Sequence, residues 1–336
     1  MPESGCFPTA CASYAELGVA DRVAEHAVPI DEFQFNRPDG STASHQASTP
    51  DSHITMWGMY RPDIIDALAQ SLPDGVLHTG HRCSSFRQDG HSAEVTFDNG
   101  VVVDADLVVG ADGIHSALQP YVVDPLPPVF SGVVAYRGVV SASHVADWPW
   151  KQEFVEWAGA GKHLLVFPVS SGRLLNFVGF VPADDQMRES WSAPGDPDVL
   201  AAEFGGWDPW VQTLLGRVDS TFKWGLYDRD PLARWSNGRL VLLGDAAHAM
   251  LPHMGQGANQ AIEDGMALAT LIEGLGSGDL PDAVVRYQQL RRARTSFIQQ
   301  NSRRDGVKAD SGERTTPIAR PGLQDYDVEA EARALR

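Results

Sequence analysis

Residues 240–272 read LVLLGDAAHAMLPHMGQGANQAIEDGMALATLI, and no other stretch limits the fold as strongly. A short β-branched and leucine-rich run stops at Gly244, as a buried parallel strand does. Asp245 then stands at the carboxyl end of that strand, where open α/β sheets bind their ligands. Gly255-Gln256-Gly257-Ala258-Asn259 opens a long amphipathic helix. Glycines there let a backbone approach a flat ligand closely. The first N–H groups of the helix, at the positive end of its dipole, stabilise negative charge. An aspartate at the strand end accepts hydrogen bonds from hydroxyls such as those of a ribityl or ribose chain. Taken singly, Asp245 or Gly257 reads as an N-cap or a turn residue; the continuous block does not.

A second strand-to-turn segment, Asp106-Leu107-Val108-Val109-Gly110-Ala111-Asp112-Gly113, repeats the logic of a buried run ending in Asp-Gly. Alone it is an ordinary strand and turn. Arg61, before Pro62 at the start of the helical pattern MYRPDIIDALAQSLP, puts a cation where the helix dipole disfavours it. Either a bound anion such as a pyrophosphate holds it there or it is a solvated surface arginine. His253 precedes the Gly-rich loop and is an acid–base candidate, whereas His248 reads as a structural hydrogen-bonding side chain. Gly274-Leu275-Gly276-Ser277-Gly278 follows a helix, not a strand, so it is a helix C-cap and loop.

The remaining pattern is α/β, then β-rich, then α/β. Alternation in IDEFQFN before Pro-Asp-Gly predicts a strand entering a hairpin, and Asn99-Gly100 predicts another. Turns are expected at Ser171-Gly172 and Pro194-Gly195, and a helix over DPDVLAAEFGG. The order implies a doubly wound α/β domain interrupted by a second, mainly β domain. Residues 1–16, 55–125 and 236–304 are assigned to the first, residues 17–54 and 126–235 to the second, and residues 305–336 to a peripheral tail.

A formal net charge of −18 disfavours nucleic acid and anionic membrane surfaces as partners. Three cysteines, Cys6, Cys11 and Cys83, are too few and too odd for a disulfide framework. No second Cys/His pair stands near Cys6 and Cys11 to complete a zinc site, so no metal is expected. With no basic and apolar leader and no run of about 20 apolar residues, the expectation is a cytoplasmic protein.

These segments resemble the single-component flavoprotein aromatic hydroxylases, the salicylate-hydroxylase-like branch of the para-hydroxybenzoate hydroxylase fold. The 240–272 block resembles that family's GDAAH and P-x-x-GQG motif. Residues 106–116 resemble its DG motif, and the sequence around Arg61 its helix-opening segment. Tyr136-Arg137-Gly138, WGLYDRDPLARW and YQQLRRARTSFIQQNSRR also fit. The resemblance runs from about residue 17 to about residue 327.

The resemblance implies a Rossmann-like FAD-binding domain interrupted by a β-rich substrate domain. It implies hydroxylation of a phenolic or other aromatic acid with NADH or NADPH and O2, through a flavin C4a-hydroperoxide, by a monomer or homodimer. Asp245, with Gly244, would bind the ribityl chain, and Arg61 the ribityl–pyrophosphate region. Cys83 would meet the adenine side through its backbone. Pro252, Gly255, Gln256, Gly257, Ala258 and Asn259 would line the isoalloxazine. Asp112 would serve the pyridine nucleotide and the flavin-domain geometry. His253, Tyr227 and His163 are the catalytic or pocket candidates.

Two features depart from the family. Its opening strand, G-x-G-x-x-G turn, helix and second strand do not precede Ser13 here, which implies a flavin domain incomplete at its amino terminus, without the first βαβ. Gln119 stands where the DG motif usually continues to an arginine. Two other readings stay open: a flavin-dependent oxidase or epoxidase of a non-aromatic substrate, and a non-catalytic remnant.

Overall fold

The computed structural model describes residues 4–6, 13–47, 56–124, 127–183, 193–311, 323 and 326–336. It divides into two compact units. The first comprises residues 1–71, 130–227 and 304–325, the second residues 72–129, 228–303 and 326–336.

The first unit is built on an eight-stranded sheet. Its order across the sheet is Pro194–Gly195, Thr221–Asp228, Val129–Ser141, Leu174–Pro182, Lys162–Val169, Glu153–Gly159, Glu32–Asn36 and Thr42–Ala47. Glu153–Gly159 runs parallel to Glu32–Asn36, while the hairpins around it are antiparallel. Side chains alternate between faces. Val155, Trp157, Leu164, Val166 and Phe177 share one core with Leu200, Val211 and Leu214 of two short helices. Phe33, Phe35, Phe167 and Val169 form a second core. Each fully buried side chain of this size stabilises by about 1.5–3 kcal/mol.

The two helices, Pro197–Glu203 and Pro209–Leu215, start the same way. Asp196 and Asp208 cap them by accepting backbone N–H bonds, and proline follows each cap. The first is the helix expected from the sequence; the second was not. Pro194–Gly195, expected as a turn, instead pairs with Thr221 and Phe222 as a short edge strand. Ser171-Gly172 is a turn as expected, with both residues at positive φ.

The second unit contains the parallel pair Val108–Gly110 and Leu240–Leu242, extended by Ser236–Asn237, beside the meander Cys83–Gln88, Ala93–Phe97 and Val102–Ala105. Helix Gly257–Ile272 follows, and then residues 280–303 of the long helix Leu280–Ser311. Trp235, Leu240, Val241, Leu242, Leu271, Val284 and Tyr287 form its core. Val108–Gly110 was expected to be buried on both faces, but Val109 is 40% exposed; only the Val108 and Gly110 face is covered. The carboxyl-terminal stretch, expected to be peripheral, carries helix Val328–Ala334, and Val328 and Ala332 enter the same core.

Among the described residues no helix is long and apolar enough to cross a membrane, and no group of three or more His, Cys, Asp or Glu side chains could hold a metal. Cys83 is a free thiol; Cys11 and the side chain of Cys6 lie outside the described residues.

Candidate flavin site

The parallel pairing of Leu242 with Gly110 sends two chain segments out at the same end of the sheet. One leads to Asp112-Gly113, the other to Gly244-Asp245. Gly110 permits the close pairing: a β-carbon there would lie 3.0 Å from Leu242 Cδ2. Leu243 N–H donates to the Gly110 carbonyl at 2.9 Å and continues the register past the strand ends.

Gly244 has φ 61° and ψ −140° and turns the chain into the one-turn helix Asp245–His248. Ala247 and His248 N–H groups both donate back to its carbonyl, at 2.8 and 2.9 Å. Asp245 is half-buried at the head of this turn. Pro252–Met254 forms a 3₁₀ turn closed by Gly255 in the left-handed region, with φ 62° and ψ 22°. Helix Gly257–Ile272 then begins with no side chain capping its amino terminus. Asn259 Nδ2 donates to the Gly255 carbonyl at 2.8 Å and fixes the loop on the helix.

The result is a cradle. Gly255 and Ala258 are exposed while Gln256 and Asn259 are buried, so the loop presents main chain outward. A β-carbon on Gly257 would lie 3.9 Å from Asp245 Oδ1, which places the carboxylate beside the bare helix start. Hydroxyl-accepting carboxylate, Cβ-free backbone and uncapped helix dipole are what a ribityl chain and a flat, charge-accumulating ring require. These residues fit FAD.

Several side chains support the cradle from behind. Gln119, buried to 2% exposure, donates from Nε2 to the Ala246 carbonyl at 2.9 Å. His248 and Asp264 are fully buried, with Nε2 and Oδ2 2.5 Å apart. His248 therefore has the structural place expected of it. Burial would raise the Asp264 carboxyl, but the His248 imidazole and the Arg291 guanidinium outweigh that and hold it well below the usual carboxylate range.

Asp112 is exposed, and its Oδ2 accepts the Ala117 N–H at 2.7 Å, which caps the turn after the strand. Cys83 opens strand Cys83–Gln88, and its thiol is pushed up by partial burial and by the charges of Asp112 and Asp98. Pro252 is half-buried and His253 is 6% exposed.

Three sequence candidates belong to the other unit. Arg61 is the half-buried first residue of helix Arg61–Ala69. His163, 1% exposed, stacks on Phe180 at 4.1 Å. Tyr227 lies 5.2 Å from Phe130, which packs on the tryptophan-rich core. Reasoning from the sequence missed Asp264, Glu263 and Arg291. Their signals were an acidic pair on the buried face of one helix, where Ala267, Leu268 and Leu271 follow, and an arginine inside the next helix.

A strand-end aspartate beside an uncapped helix start, on a mixed α/β chain, is a place where a dinucleotide can be held. The chain belongs to the FAD-binding domain family, whose model matches residues 8–302. It is 35% identical over 311 residues to salicylate hydroxylase of Pseudomonas putida, a match that covers 86% of this chain and 70% of that protein. It is 34% identical over 311 residues to 3-amino-4-hydroxybenzoate 2-monooxygenase of Streptomyces platensis, covering 90% of this chain and 77% of the relative. Among solved structures, HpxO of Klebsiella pneumoniae in complex with FAD and uric acid superposes with a TM-score of 0.82 at 25% identity, covering 100% of this chain and 83% of that one. FAD is the cofactor that this family binds.

Proposed function

We propose that this protein is an FAD-dependent monooxygenase that hydroxylates a phenolic acid or a closely related hydroxylated aromatic acid, with NAD(P)H and O2. The observation that carries the reading is the cradle of Asp245, Gly255 and Gly257 at the head of an uncapped helix. Kinship to two hydroxylases of hydroxylated benzoic acids supports the substrate class. The chemistry supplied by bound FAD is acceptance of two electrons from NAD(P)H and delivery of one oxygen atom of O2 to an electron-rich ring.

The chain's own residues have defined tasks in this reading. Asp245 accepts hydrogen bonds from ribityl hydroxyls. The start of helix Gly257–Ile272, with Gly255, Gln256, Ala258 and Asn259, stabilises negative charge on the ring, and Pro252 packs along it. Arg61 neutralises pyrophosphate charge. Cys83 offers main chain to the adenine side, and Asp112 keeps the neighbouring turn in shape for the pyridine nucleotide. His253 is the candidate to take the phenolic proton, with His163 and Tyr227 as pocket residues. The assembly is a monomer or a homodimer.

The test uses the purified chain with FAD, NADH or NADPH, and a panel of hydroxylated benzoic and pyridine carboxylic acids. At least one acid should stimulate both NAD(P)H and O2 consumption and give a product carrying one oxygen atom from 18O2. Stimulated consumption with no labelled product from any aromatic acid would overturn the reading.

A further inference from the structure

Asp264 lies two turns inside helix Gly257–Ile272 and has no solvent exposure. Both of its oxygens are committed. Oδ2 accepts the Gly244 N–H at 3.0 Å and lies 2.5 Å from His248 Nε2, so one atom joins the first residue of the Asp245 turn to the last. Oδ1 accepts Arg291 Nε at 2.8 Å.

Arg291, also fully buried, continues the chain of bonds. Its Nη1 donates to Glu263 Oε2 and its Nη2 to Gln260 Oε1, each at 2.7 Å. Gln260 Nε2 then donates to Gln256 Oε1 at 3.1 Å, and Gln256 is the residue at which the helix begins. Arg294 adds a bond from Nε to Glu263 Oε2 at 3.0 Å, and the Tyr326 ring covers its guanidinium at 3.9 Å.

A buried ionic group of this size is costly to desolvate, and well-packed apolar side chains often replace such groups without loss of stability. This one has a geometric task that apolar residues could not perform. It ties the turn that aims Asp245 to the start of the helix beside it. We propose that Asp264, seated by Arg291, is a positioning residue that fixes the distance and angle between the Asp245 carboxylate and the helix amino terminus. The inference rests on the flavin reading of that cradle.

The test titrates FAD into the wild type, Asp264→Asn, Arg291→Lys and Leu271→Ala, following flavin fluorescence beside thermal unfolding. Leu271 is a fully buried residue of the same helix, in the apolar core behind the cradle, and reports general loss of stability. Asp264→Asn is expected to raise the FAD Kd by about tenfold or more, and Arg291→Lys by a smaller factor. Leu271→Ala is expected to lower Tm and leave Kd within about twofold. An unchanged Kd in Asp264→Asn, or an equal rise in Leu271→Ala, overturns the proposal. Where Asp264→Asn does not fold, Arg291→Lys decides on the same criterion.

A flavin-free readout separates this inference from the reading beneath it. Amide hydrogen exchange over residues 243–250 should quicken in Asp264→Asn while residues 93–105 keep their rate. Unchanged exchange at 243–250 overturns the positioning role and leaves the flavin reading intact. Failure of the wild type to take up FAD contradicts the flavin reading instead.

Discussion

Gln119 and Ala246 are 127 residues apart in sequence, yet the Gln119 side-chain amide donates to the Ala246 carbonyl at 2.9 Å. The bond ties the loop after Asp112-Gly113 to the turn that carries Asp245. Ser116 Oγ holds that loop in place by accepting the N–H groups of Leu118 and Gln119 at 3.1 and 3.0 Å. At position 119 this chain has a neutral donor of the right length for a buried carbonyl.

Gln119→Ala should therefore leave that carbonyl without a partner. The expected cost is about 1–3 kcal/mol of stability. Urea denaturation of the flavin-free protein measures it. Gln119→Glu should cost more, because a carboxylate facing a carbonyl repels it and offers no donor.

Asp245→Ala removes the hydroxyl acceptor without touching the hydrogen bonds that form its turn, which run from the Ala247 and His248 main chain to the Gly244 carbonyl. Loss of charge-assisted hydrogen bonds worth about 1.5–3 kcal/mol corresponds to a rise in FAD Kd of about 10- to 100-fold. Flavin fluorescence titration checks it. An unchanged Kd would remove Asp245 from the site.

Local signals made most of the cradle legible in the sequence. The strand ending at Gly244, the glycines at 255 and 257 and the helix after them are contiguous, so spacing alone places them. The helix Pro209–Leu215 carries an equally local signal, since Asp208-Pro209 repeats the Asp196-Pro197 start. The Asp264–Arg291 network was not legible in that way. Its members lie on two helices, and nothing in helical periodicity pairs residue 264 with residue 291 until the two helices pack. Likewise, whether Val328 and Ala332 enter a core is set by what they meet, not by their own short amphipathic pattern.

The acid limb of stability follows from Asp264. Its carboxyl is held below the ordinary value of 3.8, against the pull of burial, by His248 and Arg291. A group with a depressed folded-state pKa stabilises fully above its unfolded value and loses that contribution as pH falls through the folded one. The difference in urea midpoint between wild type and Asp264→Asn should hold steady from about pH 7 to about pH 5 and narrow below about pH 4. A difference that stays constant down to about pH 2 would mean that ionisation of Asp264 contributes nothing.

Asp208 has two tasks. Its Oδ1 accepts the Trp210 N–H at 2.9 Å as the helix cap, and its Oδ2 accepts the buried indole N–H of Trp157 at 2.8 Å. Asp208→Ala should lose about 1 kcal/mol for the cap and about 1–3 kcal/mol for the orphaned indole. Asp208→Asn keeps an oxygen for only one of the two donors and turns an N–H against the other, so it should recover little of the loss. Tryptophan fluorescence during urea denaturation reports both variants.

Gly244 and Gly255 both have positive φ, but they are not equally demanding. Gly255, at ψ 22°, lies in the left-handed helical region, which alanine reaches at a cost of about 1 kcal/mol and asparagine reaches more easily. Gly244, at ψ −140°, lies where only glycine is comfortable, and a β-carbon there would come within 3.2 Å of Ala261 Cβ. Gly244→Ala should therefore cost about 1–3 kcal/mol from the backbone, with the contact adding to it. Gly255→Asn should sit closer to wild type than Gly255→Ala, whereas Gly244→Asn should give no relief over Gly244→Ala. Thermal unfolding of the four flavin-free variants gives the order. If Gly244→Asn matched Gly255→Asn, the strand-to-turn junction would have enough freedom to relax, and the bond from Gly244 N–H to Asp264 could not be what holds it.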